Sequence, residues 1–399
     1  MAFQTVVTTT YDLIIIGGAM MGSSLAWFLT QEGFPGSIAV IERDPSYSTC
    51  STAHTNSCLR QQFSTEINVR ISQFGAEYLR SFRARLGDDP RVPEITFHAF
   101  GYLYMAADAA RAEVLRKNAG LQVALGAKTE LLSTNEMAAR WPFYNLSDIA
   151  LGSFGAEDEG YFDGTTMFDW WRRKAMEAGV TYLQDEVMGI DAASGMVTGV
   201  GLASGARLST GAVVNAAGPR GARVASMAGL DLPVEPRKRF TFIFEAEDRL
   251  AKDLPLTIDP SGVHVRTDGQ YYMTGCGPRD DRAVEPDDFE MDHDIWLDRI
   301  WPALAHRVPA FERIRVVNEW AGHYAFNTLD QNAVVGPHPE LPNFYFLNGF
   351  SGHGFQQAPA LGRGLAERIT HGTFRSLDLS PLSFDRVLAG RPLTETAVI

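Results

Sequence analysis

The sequence predicts an α/β protein: a Rossmann-like dinucleotide-binding domain interleaved with a second, α+β domain built on a mostly antiparallel sheet with helices on one side. Three observations carry this expectation. The apolar run Leu13-Ile14-Ile15-Ile16 breaks into the glycine turn Gly17-Gly18-Ala19-Met20-Met21-Gly22 and resumes as a helix-compatible apolar stretch to Leu29, the pattern of strand, tight turn and helix. A second run, Ser37-Ile38-Ala39-Val40-Ile41, ends in Glu42, an acid placed where it can accept the ribose hydroxyls of an adenosine. The chain has 399 residues, more than one hydrophobic core usually serves.

The glycines of the turn, Gly17, Gly18 and Gly22, let the backbone bend sharply and, with Ala19, Met20 and Met21, bring amide groups toward a diphosphate at the helix N-terminus. Ala19 stands where the middle glycine of the pattern belongs, a departure of one methyl group. The uncharged stretch Leu13 to Gln31 is not read as a membrane span. Asp12 abuts it, no Lys or Arg occurs in the first eleven residues, and its centre is rich in Gly and Ser.

After Glu42 and Arg43 comes a small, polar segment, Ser46 to Ser57, whose hydroxyls at Ser51 and Thr52 are able to cap a helix or hold phosphate. Apolar residues at three- and four-residue intervals predict a helix from Glu66 through Leu86, stopped by Gly87, which anchors the preceding Arg60. Ile95 to Met105 reads as paired strands, Ala109 to about Ala119 as a helix stopped by Gly120, and Asn135 to Arg140 as a short helix. A helix is expected over Thr165 to Ala178, then strands at Val180 to Leu183, Val187 to Ile190, Val197 to Leu202 and Leu208 to Val214. The last of these runs into Asn215-Ala216-Ala217-Gly218, small residues that leave room for a flat ligand. Beyond Pro233, strands at Phe240 to Phe244, Gly262 to Arg266 and Gln270 to Thr274 precede two helices between Phe289 and Val308. Asn343 to Asn348 is a strand, Gly349 to Gly354 a second glycine loop, and Phe355 to Thr370 a helix. The expected division is residues 1–90, 150–230 and 325–399 for the nucleotide domain and 91–149 and 231–324 for the other.

A formal charge of −13 opposes general affinity for nucleic acid or an anionic membrane, so an anionic ligand must be met by local cations. Cys50, Cys58 and Cys276 form neither a disulfide framework nor a zinc spacing, which fits a reducing cytoplasm and leaves no metal site expected.

Four segments together resemble the D-amino acid oxidase and sarcosine oxidase superfamily of FAD enzymes: Ile16 to Gly22 with Glu42-Arg43, Ser51 to Phe63, Val213 to Gly218, and Gly349-Phe350-Ser351-Gly352-His353-Gly354-Phe355. Arg60-Gln61-Gln62-Phe63-Ser64 looks closest to a subgroup that includes a mitochondrial respiratory complex I assembly factor. The resemblance implies FAD as cofactor, contacted by the two glycine loops, Val187, Ala217 and Gly218. It also implies a small-molecule amine or amino acid substrate, O2 or another electron acceptor, and a monomer or small homo-oligomer.

A helix N-terminus aimed at the flavin N1 and C2 oxygen stabilises reduced flavin, a task for the Gly349 to Phe355 loop. His353 either adds a donor there or packs between helix and sheet. The resemblance places Arg60 where a carboxylate-binding arginine stands, Tyr324 at a pocket tyrosine, and Gln356 at a carboxylate-holding lysine of sarcosine oxidases. That last change argues against sarcosine itself. Met273 replaces a lysine that helps activate oxygen, which opens a dehydrogenase reading. Gly322 stands where those oxidases bond the flavin through cysteine, whereas Ser51-Thr52-Ala53-His54 resembles the segment that links FAD through histidine in dimethylglycine and sarcosine dehydrogenases. His54 is thus either a covalent attachment point or a polar neighbour of the cofactor. The expected reaction is oxidation of a C–N bond in a carboxylate-bearing amine. The alternatives are oxidation of a 2-hydroxy acid, with His264 as base, and a low-turnover flavoprotein scaffold.

Overall fold

The computed structural model describes residues 9–396, so the outermost parts of the expected segments 1–90 and 325–399 lie outside the described residues. Five parallel strands stand in the order Thr181–Gln184, Ile38–Glu42, Thr10–Ile16, Arg207–Asn215 and Leu341–Asn348. Leu13 and Ile15 face one hydrophobic core while Ile14 and Ile16 face another, so the unbroken apolar run reflects a strand covered on both sides. The hairpin Val187–Ala193 and Met196–Leu202 joins the start of Arg207–Asn215 antiparallel, and Val334–His338 joins Leu341–Asn348. On one face the helix Met20–Gln31 packs against Gly164–Glu177 and Gly354–His371. Gly362 permits that contact, because a Cβ there would stand 2.2 Å from Ser24 Oγ.

The second sheet has eight strands in the order Ile314–Asn327, Val234–Ala246, Tyr271–Cys276, His264–Asp268, Leu256–Ile258, Tyr102–Ala106, Leu151–Gly155 and Thr129–Leu132. Every pairing is antiparallel except that of Leu256–Ile258 with Tyr102–Ala106. A third core lies against it, containing Met137 and Leu304 from helices Thr134–Arg140 and Trp301–Arg307. A small sheet of Cys58–Leu59, Gly160–Phe162 and Phe97–His98 carries the chain into Arg60.

Several elements differ from the sequence reading for local reasons. The expected helix from Glu66 to Leu86 breaks into Glu66–Arg80 and Phe82–Arg85, because the Ser81 hydroxyl donates back to the Glu77 carbonyl and bends the last turn. Phe97–His98 and Tyr102–Ala106 do not pair with each other: Gly101, at φ +88°, turns the chain from the small sheet into the large one. Gly120 does not stop its helix, which runs to Ala124. Gln122 holds the extra turn by bonding to the Phe63 carbonyl and the Thr129 hydroxyl, and Gly126, at φ +96°, ends it. The two helices expected before Val308 are one run, widened to a π-helix over Trp296–Ile300 just before Pro302, whose ring nitrogen cannot donate.

Candidate active site

The first glycine turn is built by close approach. Gly17 adopts φ +97°, and a Cβ on it would stand 2.6 Å from the Ala216 carbonyl oxygen; one on Gly22 would stand 1.9 Å from the Gly17 carbonyl oxygen. Ala19 opens the helix Met20–Gln31 in an extended conformation and supplies no capping side chain. Thr52 Oγ1 accepts the Met20 N–H at 3.3 Å, so its hydroxyl helps cap that helix, while the Ser51 hydroxyl is committed to the His323 carbonyl at 2.6 Å. Glu42 accepts the Gly18 N–H through Oε2 at 2.8 Å and the Asp44 N–H through Oε1 at 2.9 Å. Burial raises its pKa above the usual carboxylate range.

The second glycine loop meets the same cleft from the far end of the parallel sheet. Ser351 takes a left-handed conformation at φ +48°, its hydroxyl oxygen accepting the Asn327 N–H at 2.9 Å. Gly352, at φ +93°, leaves space for the Tyr324 ring, which a Cβ would approach to 2.4 Å. The helix Gly354–His371 then starts at His353 with no capping side chain. Two helix N-termini, both without a cap from their own N-cap residue, therefore open on one cleft, where unsatisfied N–H groups and helix dipoles favour anionic ligand atoms.

Arg60 is only 1% exposed, yet its residue lines the cleft. Its guanidinium lies 4.0 Å from the Phe63 ring centre and 5.6 Å from that of Tyr104, and donates to the Gln62 carbonyl. A terminal nitrogen is 2.9 Å from His353 Nε2, and the backbone N–H donates to Gln356 Oε1 at 2.7 Å. Burial and the Arg60 charge hold the His353 pKa well below the histidine range, so this imidazole stays neutral and accepts from Arg60. Arg60 forms no ion pair among the described residues. Other cleft arginines do: the exposed Arg43 and the half-buried Arg220 share Asp287, and the half-buried Arg239 meets Asp281 at 2.8 and 2.9 Å while lying 4.6 Å over the Tyr324 ring.

The cleft brings together most of the positions singled out from the sequence. From the first turn come Gly17, Ala19, Met20 and Met21, with Glu42 and Arg43 beside them; from the polar segment, Ser51, Thr52 and His54. Val187, Ala217 and Gly218 line it from the strand ends, and Gly352, His353, Gly354, Phe355 and Gln356 from the second loop. Arg60, Tyr324 and His264 line it as well. Gly18, Gly22, Gly349 and Ser351 do not line it and instead shape the two turns. His54 Nδ1 lies 3.0 Å from the Cys50 carbonyl, which leaves Nε2 as the nitrogen with the lone pair, and its ring packs 5.4 Å from Phe289. His264 Nε2 lies 3.0 Å from Asn56 Nδ2; burial, with Arg266 and Arg239 nearby, pushes its pKa down to about 4. Met273 is buried with its sulfur 3.3 Å from Arg266. The sequence reading missed Asn56, Tyr102 and Arg239, which line the cleft, and the buried Glu159 behind Arg60. Of these only Arg239, in the run Arg237-Lys238-Arg239, carried a visible signal.

A cleft with an acid at its second strand, helix N-termini for a diphosphate and for a flat ring's electron-rich edge, and a buried cation beyond that ring defines a dinucleotide-dependent oxidoreductase. The residues fit FAD in particular, since the second loop brings the start of the helix Gly354–His371, which has no capping side chain, to the same cleft as the first glycine turn. The chain belongs to the FAD dependent oxidoreductase (DAO) family, which it matches over residues 12–368, and FAD is its cofactor.

It is 37% identical to the FAD-dependent oxidoreductase domain-containing protein 1 of Xenopus laevis, over 97% of this chain and 85% of that protein. It is 24% identical to mouse mitochondrial sarcosine dehydrogenase, over 91% of this chain and 40% of the relative. The crystal structure of L-proline dehydrogenase from P. horikoshii superposes with a TM-score of 0.84 at 26% identity, covering 97% of this chain and all of that one. Among the described residues no helix is long and apolar enough to cross a membrane.

Proposed function

We propose that this oxidoreductase acts on the C–N bond of a carboxylate-bearing secondary amine or amino acid, with an N-methyl, N-alkyl or D-configured centre, giving an imine that hydrolyses to a carbonyl compound and an amine. The observation that carries the reading is Arg60: a buried guanidinium in the cleft wall, bonded to neutral acceptors and in direct contact with no acid among the described residues. Burying an unpaired charge is costly, and a substrate carboxylate in bidentate contact would supply the missing anion and fix the substrate's orientation.

FAD, when bound, supplies a two-electron acceptor that takes hydride at N5. The protein's own part would be to fix the substrate through Arg60 and to offer the N-terminus of the helix starting at Gly354 to developing negative charge. Tyr324 and Gln356 would wall the substrate space, Gln356 acting through the Arg60 backbone. Relatives named for L-proline and sarcosine, both secondary amines with a carboxylate, support the substrate class. His264 suits the 2-hydroxy acid alternative poorly: a general base needs a pKa near the working pH, and its value of about 4 is far below. In the same reading the parallel sheet serves the cofactor and the eight-stranded sheet the substrate. The buried Met273 in place of a lysine favours an electron acceptor other than O2, and three free thiols suit a reducing compartment.

The test is to mix FAD-loaded protein anaerobically with N-methyl amino acids, D-amino acids and 2-hydroxy acids while following flavin absorbance. Bleaching by an amino acid is expected. Bleaching by hydroxy acids alone, or by dithionite alone, overturns the proposal.

A further inference from the structure

Behind Arg60 lies a second buried charge that the proposed reaction does not use. Glu159 is 1% exposed. Its Oε1 accepts the Gln61 N–H at 2.8 Å and its Oε2 accepts Gln62 Nε2 at 3.0 Å. Gln62 is in turn fixed from the second sheet: Nε2 also donates to the Tyr102 carbonyl at 3.0 Å, and Oε1 accepts the Ser153 hydroxyl at 2.8 Å. The backbone makes room for this carboxylate, since a Cβ on Gly155 would fall 2.0 Å from Glu159 Oε2. The carbonyl of Gln62 is the one to which Arg60 donates, so a single buried network runs from the eight-stranded sheet through Glu159 and Gln62 to the Arg60 guanidinium.

We propose that Glu159 is a positioning residue and the counter-charge of Arg60: it holds the Arg60 to Phe63 segment against the second sheet, and it takes up a proton when a substrate carboxylate pairs with Arg60. This inference rests on the reading of Arg60 as the carboxylate receptor.

The electrostatic logic follows from what surrounds the group. Among the described residues Arg60 supplies the positive field that favours the charged form of Glu159, beside the hydrogen bonds from Gln62 and Gln61; Tyr102 and Tyr104, from the adjoining strand, are neutral, with burial raising both phenols. His353, on the far side of Arg60, is held neutral; Asp158, next in the chain, is committed to Arg80; Glu395 is held by Ser64, Thr65 and Asn68. Burial pushes Glu159 up to about 7 even with Arg60 unmatched. A carboxylate arriving at Arg60 cancels that positive field, so the Glu159 pKa rises further and the group binds a proton drawn from the buffer.

The experiment titrates propionate and 2-furoate, carboxylates with no amine to oxidise, into the FAD-loaded protein by calorimetry near about pH 7.5. Buffers of different ionisation enthalpy report the proton count. Binding with uptake on the order of half a proton per site is expected, growing smaller toward acidic pH as Glu159 starts out protonated. In Glu159→Gln, which keeps the shape and one acceptor oxygen, uptake should vanish while binding survives. Binding to the unaltered protein with no proton uptake overturns the role of Glu159 and leaves the Arg60 reading intact. Uptake that persists in the glutamine variant also overturns it. Failure of any carboxylate to bind sinks the Arg60 reading and this inference with it. If the variant does not hold FAD, the buffer series on the unaltered protein still decides.

Discussion

Replacing Arg60 by lysine isolates what the guanidinium fork does, because the positive charge remains while the planar pair of donors is lost. In the structure the fork is pressed on the Phe63 ring and braced by the Gln62 carbonyl and His353, so it is pre-oriented before any substrate arrives. A charge-assisted hydrogen bond contributes about 1.5–3 kcal/mol, and breaking one side of a buried pair costs about 2–5 kcal/mol. Lysine keeps the charge and so avoids that larger cost; Arg60→Lys is therefore expected to lower kcat/KM for the best amino acid substrate by about 2 kcal/mol, roughly thirtyfold. Part of the loss should fall on kcat, since the fork also sets the angle of the reacting C–H.

The assay is anaerobic flavin reduction, run with the carboxylate substrate and with its carboxamide. The amide cannot form the ion pair, so it should react slowly with the unaltered protein and lose less than about tenfold in the variant. Equal losses for acid and amide would refute the reasoning and make Arg60 a structural residue. Flavin content and the melting temperature of the loaded variant check that the cleft survives.

Gly22→Ala should abolish FAD loading, read as flavin absorbance per protein, because its Cβ would meet the Gly17 carbonyl oxygen, a backbone atom that cannot retreat. Ala19→Gly, at the position where the nucleotide pattern departs from its usual glycine, should load normally. His264 is held neutral in the fold, so the unfolded chain binds the extra proton below about 6.5. Stability is therefore fully present above that pH and is lost as pH falls toward about 4; melting scans should show His264→Gln with a flatter acid limb. If His54 Nε2 is bonded to the flavin, acid-precipitated protein stays yellow and His54→Phe releases the colour. All the yellow in the supernatant refutes the bond.

What the sequence made legible is what neighbours along the chain decide. The strand Thr10–Ile16, its glycine turn and the helix after it lie within about two dozen residues, and each constraint on them is local: alternation between two cores, φ at Gly17, contact between Gly17 and Gly22. The second loop, Gly349 to Gly354, was readable for the same reason. Helix ends were less so, because Ser81 and Gln122 act through bonds whose consequences depend on packing rather than on propensity.

Arg60 could be named from the sequence, but its charge state of affairs could not. It depends on Glu159, ninety-eight positions beyond Gln61 and brought there by the pairing of Cys58–Leu59 with Gly160–Phe162. That pairing brings Arg60, the proposed carboxylate receptor, and Glu159 to one point, where neither strand pattern nor motif spacing records their meeting. A catalytic pocket assembled this way is tuned by the residue behind the one that touches substrate, so a variant at Glu159 should shift the pH dependence of KM more than it shifts the limiting rate. The same variant leaves the glycine turns and their helix N-termini untouched, and FAD affinity should follow those turns rather than the acid.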